Sequence, residues 1–131
     1  LLKRTLIGIF RSFETTSENP KYPGLNSRHF KLPKDKLWEE ILAIVKKYPG
    51  LKLVHDVKSV GEILAEKRTA TGRIQDVTFT VVEINPVKSA VDIYSASRGS
   101  LGDLGSNYRL ILNLLKEIDR KLKDYADKPS L

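Results

Sequence analysis

Leu104, Tyr108, Ile111, Leu115, Ile118, Leu122 and Tyr125 recur at steps of four and three, and Leu110, Leu112 and Leu114 widen the stripe. That spacing predicts one long amphipathic helix with an apolar seam on one side. A second helical stripe runs through Leu37, Trp38, Ile41, Leu42, Ile44, Val45 and Tyr48. Asp35 complements its positive end, and Pro49-Gly50 stops it. Between the two helices the period changes from helical to alternating. Residues 51–57, 61–68, 77–84 and 89–96 read as four strands joined by short turns, which predicts an antiparallel meander. In the first of these, Leu51, Leu53, His55 and Val57 are expected on one side. Residues 28–32 form a short strand ahead of the first helix, and TATGRIQD, residues 69–76, reads as a hairpin loop.

The predicted order is therefore β-α-β-β-β-β-α. Each helix offers one apolar face, and a sheet needs one face covered. The expected fold class is α+β: a two-layer sandwich with both helices on one side of a four- or five-stranded antiparallel sheet. The order resembles the TATA-binding-protein-like and helix-grip folds. Residues 25–131 are expected to make a single domain of this kind. Residues 1–24 are read as an N-terminal extension or packing segment, since ETTSENPKYPGLNS, residues 14–27, is polar and broken by two prolines and a glycine.

Charge changes the picture only at the front. The net charge is +7, and residues 1–36 hold eight of the 23 basic residues against three of the 16 acidic ones. No basic stripe follows along either helix, so nucleic acid is an unfavoured partner. In the opening LLKRTLIGIFRSF, a helix would place Leu2, Leu6, Ile9, Phe10 and Phe13 on one side and the basic residues elsewhere. Such a segment suits packing on the domain, docking on a protein partner or lying on an anionic membrane surface. The helical seam also suits a homodimer. No run approaches the roughly 20 apolar residues of a membrane span, and the opening is too short for a signal-peptide core. The chain has no cysteine, which rules out disulfides and cysteine-held zinc and suits a cytoplasmic location.

Candidate chemistry concentrates in SASRGSLGDLGSN, residues 95–107. Two readings stay open. In one, the stretch only joins the last strand to the last helix. Arg98 then clasps Asp103 across a turn made by Gly99, Gly102 and Gly105, and Ser106 or Asn107 caps the helix. In the other, the helix start binds a small anionic or amphipathic ligand. Its candidate residues are Ser97, Arg98, Asp103, Asn107, Tyr108 and Arg109, with an apolar cavity beneath the long helix for a tail. Catalysis has little support. His29 and His55 are the only histidines, and His55 reads as a half-buried structural residue. No metal or cofactor motif is present: Gly-Lys-Ser/Thr, HExxH and G-x-S-x-G are all missing.

Residues 28–120 resemble the bacterial domain-of-unknown-function family numbered 1499. Asp76, Phe79, Ser95, Ala96, Ser97, Arg98, Asp103, Gly105 and Asn107 carry the resemblance. Gly99 and Tyr108 stand where many members have a hydrophobic and a basic residue, although Arg109 follows at once. The resemblance implies the fold and brings no activity with it. The working expectation is a non-catalytic domain that binds a small ligand, or an adaptor that works through its N-terminal segment.

Overall fold

The computed structural model describes residues 13–20, 24–98 and 105–127. Among these lie six strands in one antiparallel sheet and two α-helices. The strands are β1 (Phe13–Thr15), β2 (Arg28–Phe30), β3 (Leu51–Val57), β4 (Glu62–Arg68), β5 (Ile74–Asn85) and β6 (Lys88–Ser97). The helices are α1 (Lys34–Lys47), between β2 and β3, and α2 (Ser106–Lys121), after β6.

Helix α1 starts directly after Pro33, carries Asp35 in its first turn and ends on Lys46 and Lys47, so both ends complement the helix dipole. Leu37, Trp38, Ile41, Ile44 and Val45 form its buried side. The Trp38 indole N–H donates to the Glu62 carbonyl at 3.2 Å, so its one polar atom is satisfied inside. Strand β5 supplies the centre of the sheet. Gln75, Val77, Phe79 and Val81 are buried at alternate positions, joined by Ile63 and Ala65 of β4 and by Val91 and Ile93 of β6. Leu110, Ile111, Leu114, Leu115 and Ile118 of α2 close on the same cluster. Both helices thus cover one side of the sheet. Each large apolar side chain fully buried there contributes roughly 1.5–3 kcal/mol.

Strands β3 to β6 form the expected meander. The turn into β4 depends on Gly61, held at φ +77°. A Cβ there would collide with the Val81 carbonyl oxygen, while the Val81 N–H donates to the Gly61 carbonyl at 2.8 Å. The outer edge of β6 takes two short strands in tandem. β1 pairs with Tyr94, Ser95 and Ala96, and β2 pairs with Ser89, Ala90 and Val91. Between them, Thr16 and Ser27 both donate to one carboxylate oxygen of Asp92, at 2.6 and 2.5 Å. The sheet therefore draws in Phe13–Thr15 from the stretch read as an extension. Three residues are too few to show a period.

One alternation differs from expectation. The register of β3 on β4 shifts between Leu53 and His55, so Leu53 pairs with Ala65 and His55 with Leu64. The extra residue, Val54, turns His55 to the other side of the sheet from Leu53, where it is exposed. The half-buried histidine expected from simple alternation is corrected by this bulge.

Candidate functional site

The end of β6 and the start of α2 bring together a closed set of polar side chains. Ser95 and Ser97 follow Val91 and Ile93 in alternation and so point to the helix side. Asn107, in the first turn of α2, is fully buried above them. Its side-chain carbonyl accepts from the Ser95 hydroxyl at 2.5 Å and from the Gln75 amide at 3.0 Å. Its own amide donates to the Ser97 hydroxyl at 3.0 Å. Gln75 also donates to the Ser106 hydroxyl at 3.3 Å. No buried side-chain nitrogen or oxygen among the described residues lacks a partner, which is the condition for burying polar atoms without a large penalty.

The N-cap residue of helix α2 brings no capping side chain. Gly105 stands at its N-cap with φ +81°, and Ser106 and Asn107 both turn inward. This corrects the expected cap: Asn107 ties α2 down onto β5 and β6 instead of closing the helix end. Gln75 was missed as a partner because it lies in the stretch read as a loop. The alternation of Gln75 with Val77, Phe79 and Val81 was the signal that could have found it.

Arg98 lies on the other side of the sheet. It follows Ser97, so the strand's alternation carries it to the face without helices. Its guanidinium forms two bonds to the Asp76 carboxylate and one to Glu66, each at 2.7 Å. Asp76 and Glu66 are direct cross-strand neighbours. Two carboxylates so placed repel unless a cation stands between them. The hydrogen bonds that it donates to Asp76 first, then to Glu66, push the Arg98 pKa above its already high ordinary value. The expected partner Asp103 lies outside the described residues, as do Gly99 and Gly102.

The candidate set is thus divided. Ser97 and Asn107 meet on the helix side, and Arg98 is separated from them by the thickness of the sheet. Tyr108 is half-buried against the core. The Arg109 guanidinium lies beside Gly105 at the helix start. Among the described residues neither histidine is bonded to a serine hydroxyl: His29 pairs with Glu18 at 2.7 Å, and His55 is on β3, with β4 and β5 lying between it and β6. Among the described residues no group of three His, Cys, Asp or Glu side chains is arranged to hold a metal ion. None of their helices is long and apolar enough to cross a membrane.

Beneath α2, Ile111, Leu114, Leu115 and Ile118 are buried against the sheet. A groove of about 370 Å³ lies elsewhere, between the last turns of the two helices, over Ile44, Tyr48 and Pro49. Burial there, and then the nearby charge of Glu117, raise the Tyr48 hydroxyl above its ordinary value. Lys47 and Lys121 at its rim complement two helix C-termini, and Glu117 is held by Arg120 at 2.6 Å. The more distinctive surface is the sheet face opposite the helices. There Tyr94 and Val82 are 42% and 41% exposed. Phe13 stacks on Tyr94 with ring centres 5.7 Å apart, and Leu64 and Thr78 lie half-exposed alongside.

The helices, the sheet and this polar junction define a small antiparallel α+β domain that holds its last helix in place through buried amides and hydroxyls. The family follows from comparison of the sequence. The family model described as "Protein of unknown function (DUF1499)" matches residues 10–118, and the chain belongs to this family. A search of the curated proteins gives no match.

Proposed function

We propose that the protein is a non-catalytic binding domain for an amphipathic ligand, and that the ligand sits on the open face of the sheet. The carrying observation is the aromatic and aliphatic patch on that face, exposed Tyr94 with half-buried Phe13 and Leu64, lying next to the Arg98–Asp76–Glu66 cluster. A patch of this kind accepts an apolar body, and the ionic cluster accepts a charged or hydrogen-bonding group. The serines of the junction favour a binding role over a nucleophilic one, because their hydroxyls are engaged by an amide and not by a base. We read the architecture as helix-grip-like or TATA-binding-protein-like, and the location as cytoplasmic in keeping with the cysteine-free chain.

The test is titration of the full chain with the amphipathic dye anilinonaphthalene sulfonate. Tyr94→Asp is expected to weaken dye binding by about tenfold, since it places a charge in the apolar patch. A second reading, a small anionic ligand at the start of α2, is favoured by the position of Arg109 beside Gly105. Binding that ignores Tyr94→Asp and disappears in Arg109→Gln would replace the first reading with the second.

A further inference from the structure

The open face of the sheet differs in charge from one end to the other. Strand register sets its central row as His55, Leu64, Thr78 and Tyr94. The next row holds Lys52, Glu66, Asp76 and Ala96, with Phe13 beyond. Past that row, Arg68 and Arg98 flank Ile74: Arg68 pairs with Ile74, and the Arg98 N–H donates to the Ile74 carbonyl at 2.9 Å. This end therefore sets Lys52, Arg68 and Arg98 against Glu66 and Asp76, and the cations exceed the carboxylates. Arg98 engages both carboxylates. Lys52 and Arg68 are exposed and form no ion pair among the described residues. The Arg68 guanidinium reaches only the Gly72 carbonyl, at 3.4 Å.

On the far side of the central row the sign reverses. Glu62 and Asp92 flank Thr80 there. Thr16 and Ser27 donate hydroxyl bonds to Asp92 without neutralising it. The basic side chains beyond, His29 and Lys88, are each held by a carboxylate, Glu18 at 2.7 Å and Asp127 at 3.3 Å. The two charged ends lie about 7 Å to either side of the central row, at two residues of about 3.4 Å each. An apolar patch thus sits between a cationic end and an anionic one, and a charged ligand meets attraction at one end and repulsion at the other.

We propose that the ligand of this face is a single-chain amphipath with an anionic head. Its carboxylate is received by Arg68 and Lys52, whose guanidinium and ammonium donors are open to solvent. Its aliphatic body lies across Leu64, Thr78 and Tyr94, a path of two strand spacings, about 10 Å. This inference rests on the reading of the open face as a binding surface, and it adds the sign and the place of the head group.

Isothermal titration calorimetry of the full chain compares decanoate with decyltrimethylammonium, each below its micelle-forming concentration. Decanoate is expected to bind at least about tenfold more tightly. Lys52→Gln with Arg68→Gln is expected to erase that preference, with circular dichroism confirming the fold. Tyr94→Ser changes no charge and is expected to weaken both ligands about threefold. Equal affinities, tighter binding of the cation or no binding of decanoate would overturn the proposal. In those cases the dye titration of Tyr94→Asp decides separately whether the face binds at all. A preference for decanoate that survives the double substitution would place the head elsewhere and overturn it too. If Tyr94→Ser changes neither affinity, the reading of the face falls and the proposal with it. Sedimentation with phosphatidylglycerol vesicles that is lost in the double variant, while decanoate does not bind, would assign Lys52 and Arg68 to a bilayer surface and overturn the free ligand.

Discussion

Ser97 and Arg98 are adjacent in the chain, yet they serve opposite faces of the sheet under different physical rules. On the helix side, Ser97 joins Asn107, Gln75 and Ser95 in a cluster where Asn107 has no exposed surface. Each hydrogen bond there replaces one to water that is no longer accessible, so losing a partner leaves a buried polar atom unsatisfied. On the open side, Arg98 reaches Asp76 and Glu66 with good geometry, but its side chain is 52% exposed. Water and salt can substitute for those contacts. The contrast teaches that burial, more than formal charge, decides which bonds at this motif hold the fold.

The largest effect is expected from Asn107→Ala. It removes the shared partner of Ser95, Ser97 and Gln75, and urea unfolding should show a loss of about 3 kcal/mol. A loss below about 1 kcal/mol would mean that the cluster rearranges freely, and the contrast would break. Ser97→Ala should cost less, about 1 kcal/mol, because Ser97 is only half-buried and its position admits water. If it equals Asn107→Ala, the hydroxyl and not the amide is the centre of the cluster. Arg98→Ala should have the smallest effect, a fall in Tm of about 1–2 °C at low salt that fades near 0.5 M salt. The residual effect comes from the facing carboxylates of Glu66 and Asp76, which then lack a cation between them. A salt-independent fall larger than that of Ser97→Ala would make the open face the stronger brace.

Much of this architecture was legible from periodicity. The stripe from Leu37 to Val45 and the seam from Leu110 to Ile118 marked both helices, and alternation marked β4, β5 and β6. Those signals are strong because each repeats over two or more turns, or four or more strand positions. Three features escaped for local reasons. β1 is three residues long, and its pairing with β6 spans about eighty positions in the chain. The bulge at Val54 reverses an alternation that the sequence itself leaves intact. Gln75 looked like part of a polar turn, because the amide that accepts its bond comes from Asn107, far along the chain.

The site divided in the same way. The sequence alone determined that SASR and the residues before α2 meet at a strand–helix junction, since neighbours in the chain cannot be far apart in space. That Ser97 and Arg98 face opposite ways follows from β6 running on to Ser97, past the expected strand end at residue 96. Only the tertiary structure decided what each one meets. Asp76 and Glu66 reach Arg98 through the registers of β4 on β5 and of β5 on β6. Asn107 reaches the serines through the docking of α2 on the sheet. Those partners are set by register and packing between segments distant in sequence, which depend on how all the apolar faces fit together and not on any short run of residues.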